Sequence, residues 1–306
     1  IPSMRRLNYP GAYAAALQAA SGAIGIIIPP SIPMVVLGSV ANISVGGLFL
    51  GGLLPGILIG LSLMAISAIV CRRKGYGETT TTAFSLTKTI AATKEAILPL
   101  VAPIIIVGGI LAGVFTPTES GGIAAVYTLF LGMFIYKKIH FCDLPDIFVE
   151  AIVTAANVVL IIATCSLLSW FLTKNGVPQA ISSLLLSISN SQWFILFAIN
   201  LIFFIGGMFL EGLALIIMFV PILLPVAVQV GIDPLFFGVM VVINIAIGTV
   251  TPPVGVCLFV ASSAGGEKFE DVTRKAVPFI GALIAVLILC CIFPEIITYF
   301  PSKAFR

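Results

Sequence analysis

Long apolar runs punctuated by prolines, with no strand-like alternation, set the pattern of this chain. From Leu7 to Cys71 there is no Asp, Glu, Lys or Arg, enough for two or more membrane crossings at about 20 residues each. The pattern predicts an interrupted helix over residues 11–38 and a full span over 46–71, with glycines in its first turns that suit close helix packing. Residues 75–95 are polar, and their second half is either an amphipathic helix on the membrane surface or a solvated loop. Spans follow over 96–115 and 121–136, separated by a helix start at Thr116–Ser120 in which Glu119 is expected to cap. Residues 148–171 span again, and the serine-rich stretch 177–192 is placed at the interface. Residues 193–230 read as two apolar arms, short for independent spans, joined around 206–212 as a re-entrant hairpin whose tip must line a cavity. A second interrupted helix over 234–263, a charged loop over 267–275 and a last span over 276–300 complete the layout.

The interruptions carry the argument. Asn244 to Gly255 reads NIAIGTVTPPVG within a segment, Pro234 to Gly266, that has no charged residue. Pro252 and Pro253 lack N–H groups, so acceptors one turn back are freed inside a hydrophobic span. Such carbonyls are tolerated in a bilayer only where protein, water or an ion replaces the lost donors. A shift of 223 residues lays Pro2, Ala23, Ile24, Gly25, Pro29 and Pro30 onto Pro225, Ala246, Ile247, Gly248, Pro252 and Pro253. Broken helices at matching places in two halves point to the binding site of a secondary transporter.

Composition agrees with the layout. The chain has 306 residues, 60% hydrophobic and 9% charged, with a mean hydropathy of +1.22, outside the soluble range. The expected fold class is an all-α integral membrane protein: a polytopic helical bundle with inverted repeats, two discontinuous helices and a re-entrant hairpin. Nothing suggests nucleic acid. The six cysteines lack metal-ligand spacing, and His140 reads as a loop residue. If the loops alternate as described, one face collects 12 of the 15 basic residues. The positive-inside rule makes that face cytoplasmic and inverts the two broken helices.

Each break offers carbonyls at a helix C-terminus, which attract cations, and a helix N-terminus, which attracts carboxylates. Ser31, Asn244, Thr249 and Thr251 add side-chain oxygens, whose bland alternative is bonding back to their own helices. Ser31, Asn244 and Thr249 are the candidate substrate ligands. Glu211, alone at the hairpin tip, binds an ion, carries a proton or caps the second arm, with capping or support of a neighbouring ligand favoured slightly over direct ligation. There is no Walker-type nucleotide cradle, so an ion gradient would supply the energy. The readings compared are an ion-coupled importer, an ion channel or non-transporting scaffold, and, a distant third, an intramembrane enzyme.

The stretches IGIIIPPSIPMVVLG (24–38), GVFTPTESGGIAAVYTL (113–129), GMFLEGLALIIMFVPILLPVA (207–227) and IGTVTPPVGVCLFVASSAGG (247–266) closely resemble the large membrane subunit of tripartite ATP-independent periplasmic (TRAP) transporters. The resemblance covers essentially the whole chain. It implies sodium-driven uptake of an organic carboxylate, sialic acid or a dicarboxylate, across a bacterial inner membrane by an elevator motion. The implied partners are a periplasmic binding protein and a small, Q-type membrane subunit. It places one sodium site on Gly207, Gly248, Thr251 and Val254, and another near Gly25, Ile28 and Ser31. The implied domains are a first transport repeat (1–45), scaffold and cytoplasmic arm (46–192), a second transport repeat (193–266) and a C-terminal loop and scaffold helix (267–306). Family members begin with further helices and a first hairpin, and this sequence is expected to lack that part.

Overall fold

The structure, a computed structural model of the chain, describes residues 1–77, 86–189 and 191–304. Every element among the described residues is helical or a helical turn. Seven helical stretches are long and apolar enough to cross a membrane, so this is a polytopic, all-α integral membrane protein, as the hydropathy pattern predicts. In order the elements are α1 (Pro2–Arg6), α2 (Gly11–Ile27), α3 (Ile32–Ala41), α4 (Val45–Lys74), α5 (Leu86–Leu111) and α6 (Pro117–Phe130). A π-helical turn (Leu131–Ile135) and a 3-10 turn (Phe141–Asp143) lead to α7 (Leu144–Lys174) and α8 (Val177–Ile188). Then come α9 (Gln192–Phe209), α10 (Gly212–Gln229), α11 (Pro234–Gly248), α12 (Val256–Gly265), α13 (Phe269–Ile292) and α14 (Glu295–Ala304).

Two compact units result: Ile1–Thr81 with Cys165–Arg306, and Thr82–Thr164. The helices α4 and α13 pack on α2 in the same unit as both interrupted helices. Glycines make this possible, since Gly52 leaves room for Met34 and the Ile27 carbonyl, and Gly56 for Ile28.

In the smaller unit α5 packs on α6, and the Tyr127 hydroxyl donates to the Leu98 carbonyl at 2.9 Å. Helix α5 begins at Leu86 and ends at Leu111, with Pro99 and Pro103 inside. The span expected over 96–115 is therefore the apolar end of a longer helix, because 86–95 carries good helix formers and no breaker. The other part of the polar stretch, 78–85, lies outside the described residues. Helix α6 starts in a capping box: the Thr116 N–H donates to Glu119 Oε2 at 2.8 Å, and the Glu119 N–H to Thr116 Oγ1 at 3.3 Å. This is the role expected for Glu119.

The larger unit has two distinguishable ends. At one, Gly11 at the start of α2 sits against Glu267, and Ala15 touches Gly265 at the end of α12. The Arg5 guanidinium closes this end, bonded to the Gly265 carbonyl and the Glu267 carboxylate. At the other, Gly238 early in α11 packs on Leu37 of α3 and on Ile43 just beyond it. Thus α2 and α11 enter from opposite ends, and the first half of each broken helix packs against the second half of the other. The two copies are inverted.

The hairpin belongs to the α11 end. Gln192 and Trp193 at the start of α9 line one cleft with Gly231, Ile232 and Asp233, which follow α10. Each arm has 18 residues, longer than the sequence pattern suggests and long enough to cross. The hairpin is nonetheless re-entrant, because its tip lodges beside the second break with all of α12 between it and the far end. Helix α8, 12 residues long, is too short to cross and packs against α10.

Candidate functional site

At the first break α2 ends when the Ile28 N–H reaches the Ile24 carbonyl at 2.9 Å. Ile28 itself is extended, with φ −76° and ψ 129°. The next donors would come from Pro29 and Pro30, which have none, so the Gly25 and Ile26 carbonyls lose their helical partners. Ser31 repairs one of them. Its hydroxyl donates to the Ile26 carbonyl and also caps α3 by accepting the Met34 N–H at 3.4 Å. Gly25, Ile28 and Pro30 are exposed, whereas Pro29 and Ser31 are buried. The candidate first set, Gly25, Ile28 and Ser31, therefore lies within about two helical turns.

The second break is rewired differently. Pro252 and Pro253 leave the Gly248 and Thr249 carbonyls without helical partners; the Thr251 N–H takes the first at 3.0 Å and the Cys257 N–H the second at 2.9 Å. The Thr249 and Thr251 hydroxyls donate to the carbonyls of Ala246 and Ile247, each at 2.7 Å. Both threonines and Ser31 thus bond back to the helix end they follow, which leaves their oxygen lone pairs as acceptors. Gly255, at φ 52°, turns the chain into α12.

The hairpin tip completes this second site. Gly207 and Gly248 meet backbone to backbone: a Cβ on Gly248 would stand 2.6 Å from the Gly207 carbonyl carbon. The Val254 N–H donates to the Met208 carbonyl at 3.3 Å. Gly207, Gly248, Thr251 and Val254 are therefore brought together. Glu211 caps α10, its Oε2 accepting the N–H groups of Leu213 at 2.8 Å and Ala214 at 3.2 Å.

Asn244 is fully buried, and its amide is engaged elsewhere. It donates to Asn200 Oδ1 across the α9–α11 contact, leaving its own Oδ1 without a hydrogen-bond partner. The pair lies at the side of a groove walled by Phe197, Phe204, Ile284 and Leu287. Asn200 was not foreseen from the sequence, although a lone amide in the apolar run 193–205 is a signal, since one such group in a membrane calls for another.

The arrangement offers oxygen donors to a cation. The C-terminal ends of α2, α9 and α11 present carbonyls, and the N-terminal ends of α3 and α12 present N–H groups, that of α10 being already capped by Glu211, so charges of both signs find a complement. Among the described residues no group of three His, Cys, Asp or Glu side chains converges. A bound ion would take carbonyl and hydroxyl oxygens, a donor set unsuited to transition metals.

Comparison with known proteins bears on this geometry. The sequence profile described as "Tripartite ATP-independent periplasmic transporter, DctM component" matches residues 1–296. The sialic acid TRAP transporter large permease protein SiaM of Vibrio cholerae is 40% identical over 302 residues, covering 99% of this chain and 70% of that protein. The isethionate TRAP transporter permease protein DctMQ of Oleidesulfovibrio alaskensis is 40% identical over 301 residues, 98% of this chain and 47% of its own length. The C4-dicarboxylate TRAP transporter large permease protein DctM of Pseudomonas aeruginosa is 37% identical over 302 residues, with 99% and 70% covered.

Proposed function

The chain belongs to the DctM family of tripartite ATP-independent periplasmic transporters, whose members are transport permeases rather than enzymes, and on that footing we propose that it imports an organic anion using a sodium gradient. The observation that carries this reading is the inverted pair of breaks, which offers helix-end carbonyls to a cation and helix-start N–H groups to an anion. Sodium is assigned to Gly207, Gly248, Thr251 and Val254, and to Gly25, Ile28 and Ser31. Sialic acid and C4-dicarboxylates, for which two relatives are named, are carboxylates, and isethionate, named for a third, is also an organic anion. A carboxylate is the substrate class favoured here, with Ser31 and Thr249 as its candidate contacts. Asn244 fits better as a tether between the hairpin and α11, since its amide is already bonded to Asn200. A periplasmic binding protein would deliver the substrate, and a small membrane subunit would complete the permease. The setting is the bacterial inner membrane, and the breaks would be carried through an elevator motion.

The test is uptake into liposomes. With its partners the protein accumulates sialic acid or a C4-dicarboxylate only under an inward sodium gradient, and sodium-independent uptake or a steady single-channel current refutes coupling. Thr251→Ala is expected to weaken sodium activation by about 1–2 kcal/mol, the scale of one lost polar contact to a charge, or roughly 5–30-fold in half-saturating sodium. Unchanged sodium dependence in a folded variant removes Thr251 from the site.

A further inference from the structure

The charged end of the larger unit encloses a cavity of about 300 Å³ between the end of α4 and the first turns of α13. Four cations surround it: Arg73 and Lys74 from α4, Arg274 and Lys275 from α13. None has a carboxylate partner among the described residues. Arg5–Glu267 is the one ion pair among the described residues, and Glu270 and Asp271, one turn ahead of Arg274 and Lys275, do not come within pairing distance. Like charges gathered around one hollow repel, and an anion placed among them relieves that repulsion.

The frame around the cavity is held in place. Gly75, at φ 66°, ends α4, and the Tyr76 N–H donates back to the Cys71 carbonyl at 3.1 Å. This turn brings the Tyr76 ring to 5.2 Å from that of Tyr13, tilted by 58°. The Tyr13 hydroxyl is in turn 2.9 Å from Ser67 Oγ. The cavity wall also includes Ile69 and Pro278, where both helices continue as apolar spans. Ile69 is 51% exposed and Val277 61%, so an apolar surface runs outward from the cationic group. A water-borne anion has no use for such a surface; an acyl chain does.

We propose that this cavity seats the phosphate of an anionic phospholipid, whose acyl chains lie along α4 and α13. Basic pockets between spanning helices recognise headgroups in this way, a phosphodiester supplying the acceptors and its tails the hydrophobic contact.

Native mass spectrometry on the intact protein in detergent tests the assignment, with dioleoylphosphatidylglycerol and dioleoylphosphatidylcholine as probes. Retention of phosphatidylglycerol is expected to fall about 30-fold in Arg274→Gln/Lys275→Gln and in Arg73→Gln/Lys74→Gln, at the usual contribution of each of two basic residues near anionic lipid. Lys137→Gln/Lys138→Gln, in the other unit, should leave retention unchanged. The two cavity pairs lie on separate helices, so either one that keeps the wild-type melting temperature in phosphatidylcholine decides the question. Equal retention of the zwitterionic lipid, an equal loss in the control pair, or no loss in the cavity pair overturns the proposal. Displacement of phosphatidylglycerol by millimolar inorganic phosphate overturns it too, since the site would then take a soluble anion.

Discussion

The two breaks share a sequence device and differ in their surroundings. At the second, the hairpin tip covers Gly248, the Gly248 and Thr249 carbonyls have found new donors, and Thr251 is 7% exposed. At the first, no atom of another described element lies within 4 Å of the position a Gly25 Cβ would occupy, and Ser31 has repaired a single carbonyl. Paired prolines therefore supply unsatisfied oxygens, but the neighbouring elements decide how many remain and whether solvent reaches them. The motif alone does not define a site; the motif together with the helix end facing it does.

Substitutions at matched positions can break this contrast. Gly248→Ala should cost most, about 3 kcal/mol, because a methyl group there meets rigid backbone rather than a side chain that can turn away; a thermal melt showing no loss would mean that the Gly207–Gly248 contact is not tight. Asn244→Leu should cost about 1 kcal/mol by leaving the half-buried Asn200 Oδ1 without its donor, and Asn200→Leu/Asn244→Leu should recover part of it, since removing both partners is cheaper than removing one. The same melting assay on the double variant reads this directly. Gly25→Ala, the counterpart of the first variant, should change stability by no more than about 0.5 kcal/mol, because the added methyl meets nothing and alanine suits a helix. If its melt matches that of Gly248→Ala, the two environments are alike and the contrast fails.

The shared device is legible in the sequence and the contrast is not, for physical reasons. Proline removes a donor wherever it stands, so Pro29, Pro30, Pro252 and Pro253 mark the breaks without reference to their neighbours. Glu211 ahead of an apolar helix reads as a cap, and the structure gives it that role. The glycine contact was hidden, since glycine has no side chain to advertise what it touches and the chain has 29 of them. The Asn200–Asn244 bond is half visible in the sequence: Asn244 stands close before the break, while its partner sits 44 residues earlier on another helix. The length of α5 was obscured because polarity changes near residue 96 while helix propensity does not. Hydropathy follows the surroundings and propensity the backbone, and along 86–111 the two disagree.

The crossed packing of half-helices has a consequence for how the molecule is made. During synthesis α2 emerges long before α12, and the contact between Ala15 and Gly265 must wait for nearly the whole chain. Contacts so distant along the sequence form late and expose intermediates in the meantime. While it waits, the part of α2 that α12 will cover has no permanent neighbour, and its last turn keeps the Gly25 carbonyl without a helical partner in the membrane. The insertion machinery or trapped water has to shelter that half until its mate arrives, which makes the nascent first half, rather than the finished protein, the stage most exposed to quality control.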